Sequence, residues 1–97
     1  MLDDNLVWLI NWYSRQCDGD WEHSFGINIY NGGNAGWSIT VSVQETELKD
    51  KKFQEIIIDR TENDWTYCKV KNGFFEGVCS LFNLEETLGL FRNWADS

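Results

Sequence analysis

The pair Asn72-Gly73 is the sequence feature that most constrains the fold of this 97-residue chain. It stands between two segments of alternating polarity, residues 65–71 and 74–79. Asn and Gly tolerate the positive φ angles of a type I′ turn, the usual two-residue connection of a β-hairpin. The pair therefore predicts two antiparallel strands in a fixed register, with Lys71 opposite Phe74 and Lys69 opposite Glu76.

Three further strands are predicted before this hairpin. Residues 23–30 and 37–43 alternate in polarity, and residues 31–36 have the composition of a hairpin loop between them. Residues 53–60, which include three consecutive Ile residues, are the third predicted strand. In residues 37–43 the apolar side chains face one way, while Ser38, Thr40 and Ser42 face the other, as in a strand with one wet face.

A helix is predicted at each end of the chain. Residues 5–16 carry an apolar stripe at helical spacing, formed by Leu6, Leu9, Ile10, Tyr13 and Cys17. At ~100° per residue, Trp8 and Trp12 lie on a different face, so either the helix is buried on a broad front or the Trp pair is a contact surface. Residues 84–95 form the second helix, where Asn83 and Glu86 have the spacing of a capping box.

These elements predict an α+β fold formed by residues 1–97 as a single domain. The economical arrangement is an antiparallel five-stranded meander sheet with the N-terminal and C-terminal helices packed on one face. The helices would cover the face that carries Phe25 and Trp37. The opposite face, which carries Ser38, Thr40 and Ser42, would stay open to solvent.

The net charge of -8 limits the partners of the chain. A negative field repels phosphate backbones, so the composition argues against nucleic-acid binding and favours a basic partner, although acidity also serves solubility alone. The acidic N-terminus and the apolar stretch broken by Asn11 and Arg15 predict neither a signal peptide nor a membrane span. The three cysteines, Cys17, Cys68 and Cys79, are expected to be free thiols.

No complete set of catalytic or metal-binding residues is visible. Asp18, Asp20 and Glu22 match the opening of a calcium loop, but His23 and Ile29 occupy the positions that need Gly and the bidentate Glu. Cys17 is the best candidate nucleophile, and Asp20 with His23 the best acid/base pair. The helix C-terminus and the neighbouring acids disfavour a Cys17 thiolate, so a core thiol is the preferred interpretation. Neither a cofactor nor a metal is predicted.

Acidic residues beside Trp form the candidate partner-binding set. Carboxylates can form charge-assisted hydrogen bonds with Arg and Lys of a partner, while a neighbouring indole fills a pocket on that partner. The structural alternative is that both Trp residues are core residues at strand starts, surrounded by solvated charges. The predicted set consists of Asp18, Asp20, Trp21, Glu22, His23, Glu62, Asp64 and Trp65.

Several sequence blocks together resemble the immunity protein 53 family of bacterial polymorphic toxin systems. They run nearly end to end and include Asn11-Trp12-Tyr13, Cys17-Asp18-Gly19-Asp20-Trp21-Glu22-His23, Gly36-Trp37-Ser38, Lys51-Lys52-Phe53, Glu62-Asn63-Asp64-Trp65, Cys68-Lys69-Val70, Phe75-Glu76-Gly77 and Asn83-Leu84-Glu85-Glu86.

The resemblance implies a cytoplasmic protein that binds and neutralises a cognate bacterial toxin. It supplies no catalytic residues. The acidic surface suits a basic toxin, such as a nuclease domain, and the protein is expected to be a monomer or weak dimer. Two alternatives remain: a small cysteine- or histidine-dependent enzyme of sulfurtransferase type, and a module that binds a small ligand or metal on the open sheet face.

Overall fold

A computed structural model describes residues 4–31 and 35–97. Five antiparallel strands form one open sheet, with a helix at each end of the chain, which confirms the α+β class. The elements are α1 (Asn5–Gln16), α2 (Trp21–Ser24), β1 (Ile27–Tyr30), β2 (Gly36–Ser42), β3 (Ile56–Thr61), β4 (Asp64–Lys71), β5 (Phe74–Ser80) and α3 (Leu84–Asp96).

The strand order is β1-β2-β5-β4-β3, which departs from a consecutive meander at one point. The neighbour of β2 is β5, and residues 43–55 carry the chain to the far edge of the sheet, where β3 lies. Central strands are buried on one face along most of their length, and β5 suits that position because Phe75 and Cys79 are fully buried. The charged β3, with Asp59 and Arg60, suits an edge.

The turn at Asn72-Gly73 forms as predicted. Asn72 has a φ of 56° and Gly73 a φ of 83°. The register places Lys69 opposite Glu76 and Lys71 opposite Phe74, with 3.7 Å between Lys69 Nζ and Glu76 Oε1. The predicted register of this hairpin is therefore confirmed.

Two strands begin later than predicted. The start of the predicted strand 23–30 belongs to α2, because the Asp18 carboxylate accepts the N–H groups of Asp20 and Trp21 and so begins a helical turn. The predicted strand 53–60 begins only at Ile56, since Phe53 leaves the sheet to pack against the rings of Phe75 and Trp94. Of the predicted loop 31–36, residues 32–34 lie outside the described residues.

Helix α1 buries only part of the predicted apolar stripe, because Leu9 is buried together with Trp12 from the other face. Trp12 is fully buried, and its ring meets that of Phe91 at 5.4 Å between centroids, while Trp8 packs against the core from the side. Leu6 and Ile10, which the stripe places in the core, are exposed. The large Trp12 ring gains more from burial than either aliphatic side chain, and its Nε1 donates to Glu47 Oε2 at 2.8 Å.

Both long helices pack on the same sheet face and are joined through Asn5. Its backbone N–H donates to Glu85 Oε2, and its side chain donates to the Glu85 carbonyl. Gly89 allows this approach, because a Cβ there would lie 2.8 Å from Asn5 Nδ2. The sheet face that carries Ile39, Val41 and Val43 is thereby covered.

The opposite sheet face is more mixed than predicted. Ser38 and Thr40 are half-buried, whereas Ser42, expected to be open to solvent, is fully buried. Asn83 occupies the N-cap position of α3, but its side chain does not cap the helix. It donates to Asp64 Oδ1 and Glu86 Oε1 instead, so the predicted capping box is replaced by a link to β4.

Replacing Gly73 with Ala tests the turn. A side chain in the left-handed region costs about 1–2 kcal/mol, and the new Cβ would meet Gln44 Cγ at 2.4 Å. We expect the free energy of unfolding in urea to fall by about 1 kcal/mol or more. Gly26→Ala is the control, since nothing lies within 4 Å of a Cβ there. Equal stability of the two variants would contradict the prediction.

Candidate functional site

The two predicted acidic clusters lie at opposite ends of the sheet. Trp21 Nε1 donates to the carbonyl of Gln44, which follows the end of β2. Trp65 lines a cleft with Ala35 and Gly36, at the start of β2. At about 3.3 Å per residue, the seven residues of β2 separate these ends by roughly 23 Å. The fold therefore does not bring the clusters together.

The acids around Trp21 build a turn. Asp18 Oδ1 accepts the N–H groups of Asp20 and Trp21, both at 2.9 Å. The Glu22 carboxylate accepts the N–H groups of Asp18 and Gly19. Backbone hydrogen bonds hold the pKa of Asp18 below its usual value, those from Trp21 and Asp20 first. The pKa of Glu22 is also lowered by backbone hydrogen bonds, its own N–H first.

The Trp21 ring lies in the core, with 5% of the residue exposed. It contacts the rings of Trp12, Tyr13 and Phe25, at centroid distances of 6.3, 5.7 and 5.8 Å. This burial leaves little of the indole for a partner. Asp18, Asp20 and His23 are exposed beside it, and their role in partner binding stays a prediction.

Asp64 belongs to a polar network that joins β3, β4 and α3. Arg60 Nη1 donates to Asp64 Oδ1 at 2.8 Å, and Arg60 Nη2 donates to Glu86 Oε2 at 2.6 Å. Asn83 donates to both carboxylates, and Ser80 Oγ donates to Asn83 Oδ1. Bonds from Asn83 and Arg60 lower the pKa of Asp64, and bonds from Arg60 and Asn83 lower that of Glu86.

An apolar surface lies near this network at the same end of the sheet. We call it the Trp65 patch and define it as the half-buried Trp65 and the exposed Tyr67, Leu81 and Phe82. The Trp65 and Tyr67 rings stack at 5.0 Å with 27° between their planes. Trp65 also lines a cleft of about 380 Å³ with Leu81, Phe82 and Glu62. Phe82 is 88% exposed. The exposed Glu62 lies at the rim, so an apolar surface meets an acidic side chain here.

The Trp65 patch continues into an apolar row across the outer sheet face, which we call the open face. The strand register aligns one residue from each of the five strands. Four of the five are large, exposed apolar residues, and Ser38 is the small exception. In spatial order the row is Tyr30, Ser38, Val78, Tyr67 and Ile57.

Sequence reasoning missed Leu81 and Phe82. Their signal is two consecutive apolar residues between a strand and a helix N-cap, where polar turn residues are usual. A hydrophobic residue before an N-cap often packs against the fourth helical residue as a staple. That residue is Thr87, which bonds to Thr66 inside the core, and Phe82 remains exposed. The exposure of Phe82 thus leaves a surface role open to it.

The thiols and carboxylates do not assemble into a metal-binding cluster in the described part of the chain. Burial raises the pKa of the Cys68 thiol to about 11 and also raises that of Cys79. The Cys17 Sγ donates to the Tyr13 carbonyl at 3.3 Å. No three His, Cys, Asp or Glu residues among residues 4–31 and 35–97 could hold a metal ion together.

Comparisons with known proteins give one match. The model of a family described as immunity protein 53 matches residues 6–96. A search of curated proteins and a search of solved structures each gave no match. Over the described residues, no helix has the length and apolar character needed to cross a membrane.

Replacing Arg60 with Gln tests the network beneath the Trp65 patch. Carboxylates with lowered pKa stabilise the fold above their unfolded values, about 3.9 for Asp and 4.3 for Glu, and lose that contribution as pH falls through their folded values. We expect Arg60→Gln to be less stable than wild type at pH 7 and the difference to shrink below about pH 4. The measurement is urea unfolding between pH 7 and pH 2.5.

Lys69→Gln is the control for this experiment, since it removes one positive charge and one long surface ion pair. It should leave the pH dependence of stability unchanged. A difference between Arg60→Gln and wild type that stays constant across this pH range would contradict the assigned network.

Proposed function

The chain belongs to the immunity protein 53 family, and on that premise we propose that it binds a cognate toxin protein and neutralises it. The match over residues 6–96 is the observation that carries this proposal. The mechanism is blockade by a bound protein, without turnover, in the cytoplasm of the cell that makes the toxin.

The Trp65 patch is the surface that we propose for the first contact with the toxin. Hot spots of protein interfaces are enriched in Trp and Tyr and lie in clusters that exclude water when bound. Trp65 and Tyr67 are preorganised by their stacking, so little side-chain freedom is lost when they bind. Phe82 adds an almost completely exposed ring at the end of the sheet.

The charge of the protein favours a basic toxin. With 16 acidic and 8 basic side chains, the chain carries a net charge of -8. Glu62 lies at the rim of the Trp65 patch, and Asp18 and Asp20 are exposed at the other end of the sheet. Rim charges mainly accelerate encounter, so all three would steer a basic toxin, for example a nuclease domain, toward the protein.

Catalysis by Cys17 is the alternative, and it predicts an essential, reactive thiol. We expect Cys17→Ser to neutralise the toxin as well as wild type, because the hydroxyl can keep the bond to the Tyr13 carbonyl. Stability should fall only modestly. Growth rescue in cells that express the toxin, together with alkylation rates of the folded protein, measures both points. Rapid alkylation of Cys17 and loss of rescue in the variant would favour the enzyme.

Co-expression with the cognate toxin tests the proposed function. Wild type should rescue growth and co-purify with the toxin. Phe82→Ala should dissociate about 30-fold faster, which corresponds to a hot-spot loss of about 2 kcal/mol. Val7→Ala is the matched control, because Val7 is also exposed and apolar but lies on α1. If Phe82→Ala dissociates from the toxin at the wild-type rate, the Trp65 patch is not the binding surface.

The salt dependence of association tests the electrostatic part of the proposal. The association rate should fall steeply between 50 and 500 mM NaCl (concentrations chosen as roughly 14 and 4 Å of screening length), whereas the dissociation rate should change less. The double variant Asp20→Lys with Glu62→Lys, which leaves the carboxylates that accept backbone N–H groups unchanged, should associate slowly even at low salt. An association rate that is indifferent to both changes would remove the argument from charge.

A further inference from the structure

The two edges of the sheet differ in how they are protected against another strand. The β3 edge carries Asp59 and Arg60, and its pairing with β4 is irregular between Asp59 and Thr61. Charges and bulges are the usual means by which an edge strand avoids further pairing. The β1 edge, Ile27–Tyr30, contains neither a charged residue nor a proline. The β1 edge therefore lacks the features that normally prevent a further strand from pairing with it.

The residues of β1 alternate between those whose backbone groups bond to β2 and those whose backbone groups point away from it. Ser42 N donates to the Gly26 carbonyl at 3.0 Å, so residue 26 is a hydrogen-bonded position. These positions alternate in an antiparallel pair, so Asn28 and Tyr30 also point their backbone groups at β2. The N–H and C=O groups of Ile27 and Ile29 consequently point outward. In the described part of the chain, no strand lies beyond them.

An apolar groove of about 410 Å³ lies alongside these outward groups, between α1 and β1. It exists because α1 buries Trp12 and leaves Leu6 and Ile10 at the surface. Ile27 and Ile29, which are partly buried against the core, also line this groove. Its lining residues are Leu6, Leu9, Ile10, Tyr13, Gly26, Ile27 and Ile29.

We propose that an extended segment of the toxin adds to β1 as a sixth strand, an inference that rests on the proposed function. Its backbone would pair with Ile27 and Ile29, and its apolar side chains at alternate positions would fill the groove against α1. Main-chain bonds then give affinity while pockets for alternate side chains give specificity, the usual division in strand addition. The side chains on its other face would continue the open face beside Tyr30.

Charge decides between a toxin segment and a second copy of this chain. Two copies would each bring a net charge of -8 to the same edge, which disfavours self-pairing. Carboxylates also flank the groove, with Asp4 before α1 and Asp18 and Asp20 after it. The segment that fits best is therefore apolar at alternate positions and flanked by Lys or Arg.

A substitution in the groove tests the proposal with the purified toxin as probe. Ile10→Lys places a charge where the apolar side chains would lie, whereas Val7→Lys makes the same change on α1 outside the groove lining. Ile10 and Val7 are 56% and 50% exposed, so both variants should fold, which thermal melting checks. We expect the Kd for the toxin to rise at least 10-fold in Ile10→Lys and less than 3-fold in Val7→Lys.

Amide hydrogen exchange of the wild-type complex locates the added strand directly. The amides of Ile27 and Ile29 should exchange quickly in the free protein and at least 10-fold more slowly in the complex. The amides of Asn28 and Tyr30, already paired with β2, should change less. Unaltered exchange at Ile27 and Ile29 in a saturated complex would overturn the proposal.

The remaining outcomes separate this inference from the proposed function. If the toxin binds wild type and Ile10→Lys equally well, strand addition is excluded while toxin neutralisation stands. If wild type does not bind the toxin at all, both fail. If the β1 amides are protected in the isolated protein at high concentration, and sedimentation shows a dimer, the occupant is a second copy and the assignment to the toxin is wrong.

Discussion

Burial of the Trp12 indole sets the geometry on which the rest of the structure depends. The ring meets Phe91 of α3 and Trp21 of α2, and its Nε1 is satisfied by Glu47 from the long connection after β2. One side chain thus ties together three segments that are distant in sequence. Because a helix can present only part of its circumference to a core, burial of Trp12 leaves Leu6 and Ile10 exposed. Their exposure leaves the groove between α1 and β1 open.

The acidic residues divide into those that hold the fold and those that remain for a partner. Asp18 and Glu22 accept backbone N–H groups of their own turn, and Asp64 and Glu86 hold Arg60 and Asn83. Charge-assisted bonds of this kind fix local geometry, and here they position the turns next to Trp21 and Trp65. Glu62 and Asp20 lie outside these networks and face solvent. They are better placed than the bonded acids to meet a basic toxin.

The proposed contacts lie on opposite faces of the sheet, the groove on the α1 face beside β1 and the Trp65 patch on the open face. Tyr30 begins the apolar row that crosses the open face toward Tyr67 and Ile57, while Ile27 and Ile29 of the same strand line the groove. A strand added to β1 would face both surfaces, because alternate residues point to opposite faces. A toxin could in this way pair its backbone at the edge and pack apolar side chains against either face. Such a contact would be larger than either surface alone provides.

The sequence by itself determined most of the local structure, although not the short helix α2 or the side-chain bonds of Asn83. Asn72 and Gly73 set the turn and register of β4 and β5, because few residues accept the two positive φ angles of that turn. Periodicity gave both long helices and the α+β class, and the family resemblance is confirmed by the match over residues 6–96.

Only the tertiary structure decided which surfaces are exposed and which elements are neighbours. Nothing local distinguishes the Leu6 and Ile10 side of α1 from the Trp12 side, since both are apolar. The rings of Phe91 and Trp21 and the carboxylate of Glu47, all outside α1, favour burial of Trp12. The same holds for Trp21 and Trp65, which have similar acidic neighbours in sequence. Trp21 is enclosed by other rings, whereas Trp65 lies at the end of the sheet beside Phe82. Strand order and burial depend on contacts between distant residues, and no short-range pattern in the sequence encodes those contacts.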